Sequence, residues 1–204
     1  MFALPARSAK ALPESGETVA STDDMDMNKI TKAVRLATAA HAGQMRNNQT
    51  EPYIMHPLRV MHRVMLVDQP DVDEDVVCAA VLHDVIEDTS MTGTMLRKEM
   101  GHNVGWLVEW LTNPSKGSKL PRAERKKMDL DHIAGAPTVV RIVKLIDRAD
   151  NVNSLHGAPL KFVPLYLKES DELLDTLRGT DEDAERELEF AIGEARKAFN
   201  IPHG

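Results

Sequence analysis

Apolar residues recur along most of the chain at the spacing of an amphipathic helix. Ile30, Val34, Ala37 and His41 form the first such stripe, because helical residues three and four positions apart lie on one face. No segment shows the alternation of apolar and polar residues that marks a convincing strand. The pattern predicts an all-α bundle of about eight to ten helices. The predicted helices cover residues 26 to about 43–46, 57–66, 73–88, 94–100, 103–111, 121–133, 138–155, 163–177 and 181–198.

Local signals set several of the helix ends. Pro57 suits the first helical turn, where its missing N–H costs nothing, and so His56 is expected at a helix start. Gly101 is expected to end the helix that precedes it. Thr180, with Asp183 three residues later, gives a variant of the capping box at the last helix.

The composition fits a helix-packed core. The 204 residues are 42% hydrophobic but only 4% aromatic, and they include 11 methionines. This length matches one domain of roughly 100–200 residues. Residues 1–24 mix Pro, Ser, Gly, Thr and Asp without periodicity, and we expect them to form a flexible tail before a single domain at 25–200.

The sequence argues against secretion, membrane insertion and nucleic-acid binding. Cys78 is the single cysteine, which excludes an internal disulfide, and no apolar run approaches the roughly 18 residues of a membrane span. Asp and Glu outnumber Lys and Arg by 32 to 25, for a net charge of -7, and such a field repels nucleic acid. We therefore expect a cytoplasmic protein without a nucleic-acid or membrane partner. A homo-oligomer is left open.

Four ionisable residues follow an apolar run within the predicted helix 73–88. With His83 at 0°, Glu87 falls at roughly 40°, Asp84 at roughly 100° and Asp88 at roughly 140°, and apolar residues fill the opposite arc. Buried charges must be paired or must coordinate a metal. The arc is therefore either a site with metal ligands and acid/base groups or a solvated face near a helix end.

A second polar group interrupts the apolar helix 138–155. Asp147 follows a nearly continuous apolar run, and Asn151 lies four residues later on the same face. Asp147 is either a metal ligand offset by Arg148 or half of a buried salt bridge. With His56, the chain offers two imidazoles and two carboxylates, which suit Mn, Fe, Co or Zn and leave positions for water and a phosphate oxygen. His41 is expected to be a hydrogen-bonded histidine that is structural or that supports a metal ligand, rather than a ligand itself.

Four ordered motifs carry a family resemblance. HAGQMR at 41–46, PYIMHPL at 52–58, AAVLHDVIEDT at 79–89 and VKLIDR at 143–148 resemble the HD-superfamily hydrolase domain of the Rel/Spo alarmone enzymes. The chain is most similar to the small stand-alone hydrolases, because it stops where bifunctional enzymes continue into a synthetase domain. The resemblance implies an HD-domain helical bundle that binds one Mn²⁺ ion and removes the 3′-diphosphate of (p)ppGpp or (p)ppApp. The alternatives are a phosphatase for other nucleotides, such as dinucleotide 2′-phosphates, and a non-catalytic alarmone-binding module.

The resemblance also implies a role for individual residues. The implied metal ligands are His56, His83, Asp84 and Asp147. The carboxylates that activate the attacking water are Glu87 and Asp88. The implied contacts to the nucleotide beside the metal are Arg46, Asn151 and Tyr166. The distal phosphates are expected to meet a basic segment through Arg122, Arg125 and Lys126, with the first two as the preferred pair because they share a helix face.

Two positions depart from the family pattern. Asn47 stands where the family usually has a second basic residue, and Asp150 stands where many relatives carry His or Tyr. We expect both to lie beside the nucleoside rather than the metal. They leave the choice between guanosine and adenosine open.

Overall fold

A computed structural model describes residues 28–46 and 51–202, and this part of the chain folds into ten α-helices without a β-strand. The expected all-α fold and its eight to ten helices are confirmed. The expected tail at 1–24 and the position Asn47 lie outside the described residues, and the domain limits remain a prediction. The helices are α1 (Lys29–Ala40), α2 (Met55–Val64), α3 (Glu74–Leu82), α4 (Val85–Asp88), α5 (Gly93–Met100), α6 (His102–Leu111), α7 (Arg122–Ala134), α8 (Thr138–Asn153), α9 (Val163–Thr176) and α10 (Glu182–Phe199).

The core surrounds two helices that are apolar on nearly every face. All of α3 from Val76 to Leu82 is buried between α1, α2 and α6. Helix α8 packs against α2, α6, α9 and α10, and its buried residues include Ile142, Leu145 and Ile146. Because α2 contacts both α3 and α8, the polar residues on these three helices meet inside the bundle.

The predicted helix 73–88 is in fact divided into α3 and α4 by a turn at His83 and Asp84. The Nδ1 atom of His83 lies 2.8 Å from the Ala80 carbonyl oxygen. In a continuous α-helix that oxygen would accept from the N–H of Asp84. Asp84 departs from regular helical geometry, with φ -96° and ψ -8°, so the angles assumed for an unbroken helix do not carry over unchanged to Glu87 and Asp88.

The cap predicted for the last helix is also wrong by one residue. Asp181 is the N-cap, and its side chain accepts a hydrogen bond from the N–H of Ala184. The Glu185 carboxylate accepts from the backbone N–H groups of Thr180 and Asp181. Two acidic side chains thus accept from three backbone N–H groups at this helix start, without Thr180 and Asp183 as the pair.

Among the described residues, no helix has both the length and the apolar character needed to cross a membrane.

Candidate metal centre and active site

Two buried imidazoles meet where α2 and α3 touch. His56 lies in the first turn of α2, beside Pro57, and His83 lies directly after the last residue of α3. The side chains are almost completely buried, and their Nε2 atoms are 3.2 Å apart. Both imidazoles therefore turn the same ring nitrogen toward one point.

Two carboxylates face the same point. Asp84 Oδ2 lies 3.0 Å from His83 Nε2 and 3.6 Å from His56 Nε2. Asp147 Oδ1 lies 3.2 Å from His56 Nε2 and 3.5 Å from His83 Nε2. Ligands bonded at about 2.1 Å to one ion are about 3.0 Å apart at a right angle and about 3.4 Å apart at a tetrahedral angle. The distances from the imidazoles to each carboxylate thus fit a divalent ion, and the ligand atoms of His56, His83 and Asp84 all lie within 4.8 Å of one another.

The other ring nitrogens make both imidazoles suitable ligands. His83 Nδ1 contacts the Ala80 carbonyl oxygen, and His56 Nδ1 lies 2.7 Å from Asp150 Oδ2. These oxygens only accept, so each Nδ1 carries a proton and each Nε2 is the nitrogen left to coordinate an ion. Hydrogen bonds of this kind fix the tautomer of metal-binding histidines.

The charge of Asp147 is balanced by Lys144 rather than by the expected Arg148. Lys144 Nζ lies 3.1 Å from Asp147 Oδ2, and its side chain is 12% exposed. Burial opposes ionisation of Asp147, but Lys144 and the imidazoles outweigh it and hold the pKa of this carboxyl well below its usual range. Arg148 instead lies over the ring of Tyr166, 4.7 Å from its centroid. Asp147 is therefore paired with a lysine while it also faces the two imidazoles.

Glu87 lies on α4 and is held by the loop that follows α6. Its carboxylate accepts hydrogen bonds from the backbone N–H and the side-chain amide of Asn113. Burial raises the pKa of Glu87, while Lys144 and the Asn113 N–H oppose the increase. A carboxylate with a raised pKa close to a metal centre is suited to proton transfer.

Asp88 is joined to the metal centre through Tyr53. The Tyr53 hydroxyl lies 2.6 Å from Asp84 Oδ2 and 2.8 Å from Asp88 Oδ2. Burial and these two carboxylates raise the pKa of Tyr53, so the hydroxyl keeps its proton and acts as the donor. Tyr53 was not among the expected site residues. The signal was its place in the motif PYIMHPL, three residues before His56.

Two of the three residues expected to contact the nucleotide beside the metal are joined by hydrogen bonds. Asn151 Nδ2 donates to Asp147 Oδ1 at 2.6 Å, and Arg46 Nη2 donates to Asn151 Oδ1 at 3.1 Å. Tyr166 packs against Phe162 and lies under the Arg148 guanidinium. Asn151 thus lies directly beside the metal centre, and Arg46 lies one hydrogen bond further out.

The basic residues expected at the distal phosphates are divided between two places. Arg125 and Lys126 line a cleft of about 220 Å³ together with Glu87 and Asp88. Arg122 makes two hydrogen bonds to the Glu169 carboxylate, at 2.7 and 2.9 Å. The preferred pair of Arg122 and Arg125 is therefore not found at this cleft.

The same cleft contains a lysine that is hydrogen-bonded to α4, the helix that carries Glu87 and Asp88. Lys116 lines the cleft and donates from Nζ to the backbone carbonyl of Ile86, next to Glu87. Arg125 Nε is buried without a hydrogen-bond partner. Positive groups and the two acids thus share one cleft.

Asp150 was expected beside the nucleoside, and this expectation is wrong. Its carboxylate contacts His56 Nδ1 and also accepts two hydrogen bonds from Arg59, at 2.7 and 3.1 Å. Burial opposes ionisation, but His56 and Arg59 lower the pKa of Asp150 to about 2. The residue is three positions after Asp147 and therefore on the same face of α8.

His41 makes a side-chain hydrogen bond, as expected, and its buried Nε2 has no hydrogen-bond partner among the described residues. Its ring stacks on Tyr53 with the centroids 4.8 Å apart, and its Nδ1 lies 2.8 Å from Gln44 Oε1. Gln44 in turn donates to the backbone carbonyl of Asp88. These contacts hold the tyrosine that joins Asp84 to Asp88.

Comparisons with known proteins agree with this geometry. The HD-domain family model matches residues 33–173. A guanosine-3′,5′-bis(diphosphate) 3′-pyrophosphohydrolase, MESH1, of Danio rerio is 30% identical over 174 residues, which are 80% of this chain and 94% of the relative. An enzyme of that activity from Aquifex aeolicus is 33% identical over 146 residues, 71% of this chain but 20% of the much longer relative.

Solved structures show the same fold. A metazoan ortholog of SpoT, described as hydrolysing ppGpp, superposes with a TM-score of 0.72 at 26% identity, covering 91% of this chain and all of that protein. The protein lmo0812 of Listeria monocytogenes superposes with a TM-score of 0.58 at 23% identity, covering 71% of this chain and 98% of its own. At that identity the second match shows the fold alone.

Proposed function

This chain belongs to the HD-domain family, and from that membership and the geometry of its site we propose that it is a metal-dependent 3′-pyrophosphohydrolase of guanosine-3′,5′-bis(diphosphate) and related alarmones. The observation that carries the proposal is the convergence of His56, His83, Asp84 and Asp147 on one point, beside a cleft that holds Glu87 and basic side chains. The relatives that match nearly their whole length to this chain are named for that activity.

The four converging residues would hold one divalent ion, for which we propose Mn²⁺. Two imidazoles and two carboxylates form a borderline donor set that Mn²⁺ accepts. When bound, such an ion supplies positive charge to a phosphoryl oxygen and lowers the pKa of a water molecule. The neighbouring side chains then have to position the substrate and accept the proton.

We assign proton acceptance to Glu87. Its raised pKa brings its basicity closer to neutral pH, and the Asn113 amide groups fix its orientation. Asp88 assists through Tyr53, whose hydroxyl reaches both Asp88 and Asp84. The two carboxylates thus have different roles. Glu87 accepts the proton of the attacking water, and Asp88 provides a polar group on the side from which the water attacks.

The cleft beside these acids fits the second diphosphate of the substrate. Lys116, Arg125 and Lys126 line it with Glu87 and Asp88. Lys126 Nζ lies 3.9 Å from Asp129 Oδ2, a long ion pair that leaves N–H groups of the ammonium for an anion. Charge-assisted hydrogen bonds from these side chains would hold an anion locally in a chain whose net charge is negative.

The nucleoside would lie on the side of Arg46, Asn151 and Tyr166. Arg46 Nη2 donates to Asn151, and a guanidinium has further N–H donors that could reach the nucleotide. The charges of Arg46, Asn151 and Tyr166 do not distinguish a guanine base from an adenine base. We therefore propose both ppGpp and ppApp as candidate substrates. We also propose a cytoplasmic location, supported by the single cysteine.

The test is a product assay with purified protein. Protein and Mn²⁺ are incubated with ppGpp, pppGpp or ppApp, and pyrophosphate and inorganic phosphate are measured separately. We expect pyrophosphate from at least one substrate. Inorganic phosphate as the product would favour a phosphatase, and binding without any turnover would favour an alarmone-binding module. Either result would contradict the proposal.

A further inference from the structure

One metal-facing histidine has a supporting network of its own. His83 Nδ1 is fixed by a backbone carbonyl, whereas His56 Nδ1 is fixed by the Asp150 carboxylate at 2.7 Å. A carboxylate is a stronger acceptor than a neutral carbonyl. The electron density available at His56 Nε2 therefore depends on the Asp150 carboxylate.

The spacing of residues on two helices brings this network together. His56 and Arg59 are three apart on α2, and Asp147 and Asp150 are three apart on α8. Each pair occupies one helix face. His56 Nε2 and Asp147 Oδ1 meet at the metal centre, 3.2 Å apart. One helical turn away, Arg59 Nε lies 2.7 Å from Asp150 Oδ1.

Arg59 is itself held in place by a second carboxylate. Its Nη1 and Nη2 atoms donate to Glu51 at 3.0 and 2.9 Å. The backbone carbonyl of Glu51 accepts from the N–H of Arg46 at 3.0 Å. Arg59 therefore joins the segment that carries Arg46 to the carboxylate that supports His56.

The charges of the network sum to one negative charge beside His56. Glu51 and Asp150 are anionic and Arg59 is cationic, and the remaining negative charge is directed at the Nδ1 proton of the imidazole. Such a hydrogen bond orients a ligand histidine and increases its basicity toward a cation.

We propose that Asp150 is a positioning residue for the metal ligand His56, and that Arg59 and Glu51 hold it in place. This inference rests on the proposed metal site. It assigns a function to three residues that do not themselves face the converging donor atoms: Asp150, Arg59 and Glu51.

The test measures Mn²⁺ binding to the full chain without nucleotide, by the EPR signal of free Mn²⁺. We expect Asp150→Asn to weaken binding by roughly 10- to 100-fold, the usual effect of losing such a partner. Arg59→Gln should act in the same direction but less strongly. Asp171→Asn is the matched control, because Asp171 pairs with Arg196 away from the site, and its Mn²⁺ affinity should equal that of the wild type.

Each other outcome is decisive. If the Mn²⁺ affinity of Asp150→Asn lies within twofold of that of the wild type, the proposal is overturned. If that variant also has a raised KM for ppGpp, the result would place Asp150 at the nucleoside. If circular dichroism shows that Asp150→Asn does not fold, an unchanged affinity of Arg59→Gln overturns it. Wild-type protein that binds Mn²⁺ but cleaves no alarmone contradicts the proposed function alone, and the comparison of the variants still decides the role of Asp150.

Discussion

Replacing Lys144 with methionine tests how the charges of the metal centre are balanced. Lys144 Nζ lies 3.1 Å from Asp147 Oδ2, and Asp147 also faces His56 and His83. Burial disfavours the charged lysine, but the Asp147 and Glu87 carboxylates outweigh it and raise the pKa of Lys144. Methionine has a similar length, so the substitution removes the charge without opening a large cavity.

The expected loss of stability follows from the burial of this pair. Removing one partner of a buried ion pair costs about 3–5 kcal/mol. The two imidazoles remain beside Asp147 and offset part of the loss, so we expect about 3 kcal/mol, near the lower end of that range. In a domain of this size each kcal/mol lowers Tm by about 2–4 °C, which gives a decrease of about 6–12 °C for the metal-free variant.

Thermal unfolding with EDTA and with Mn²⁺ measures this effect. Because a bound cation replaces the missing positive charge, Mn²⁺ should raise Tm more in Lys144→Met than in the wild type. Lys168→Met is the control, since Lys168 is exposed and pairs with Glu172 at 3.7 Å; such surface pairs contribute under about 1 kcal/mol. A Tm for Lys144→Met in EDTA within about 2 °C of the wild type would refute the reasoning, given the 2–4 °C expected per kcal/mol.

Three further predictions concern the acids. Asp84→Ala should abolish both Mn²⁺ binding and turnover, whereas Glu87→Gln should keep Mn²⁺ bound and lower kcat by about 10²–10⁴-fold. Equilibrium dialysis measures the bound Mn²⁺, and product assays measure the turnover of each variant. Loss of metal from Glu87→Gln would contradict the assigned roles. Tyr53→Phe removes one hydrogen bond to Asp84 and Asp88 and should lower kcat about tenfold; an unchanged kcat would show that this bond does not support catalysis. Burial raises the pKa of Glu87, and a general base must be ionised. We therefore expect kcat/KM to fall as the pH drops through a value above the usual pKa range of glutamate. A fall that occurs only within the usual glutamate range would argue against Glu87 as the base.

The helical pattern was sufficient to predict the fold, because most helices bury one continuous apolar face. It could not predict the turn at His83 and Asp84, since a side chain that competes for a main-chain oxygen leaves no trace in apolar periodicity. The error at Arg148 was avoidable. Lys144 is three residues before Asp147 and shares its helix face, whereas Arg148 is rotated by about 100°.

The same helical geometry would have placed Asp150 correctly, three residues after Asp147 on α8. The position of Arg122 could not be predicted, because its partner Glu169 lies 47 residues later along the chain. Local spacing put Arg122 and Arg125 on one face, but only the packing of α7 against α9 decides which carboxylate the first of them meets.

The hydrogen bonds from Asn113 to Glu87, and from Lys116 to the Ile86 carbonyl, fasten the loop after α6 to the short helix α4. The length of this loop therefore determines two properties together: where an anion is held and where the proton acceptor points. An insertion intended to admit a larger substrate would also displace Glu87. Efforts to redesign substrate range should keep residues 113–116 unchanged and vary the other side of the cleft, which Arg125 and Lys126 line without holding the acid.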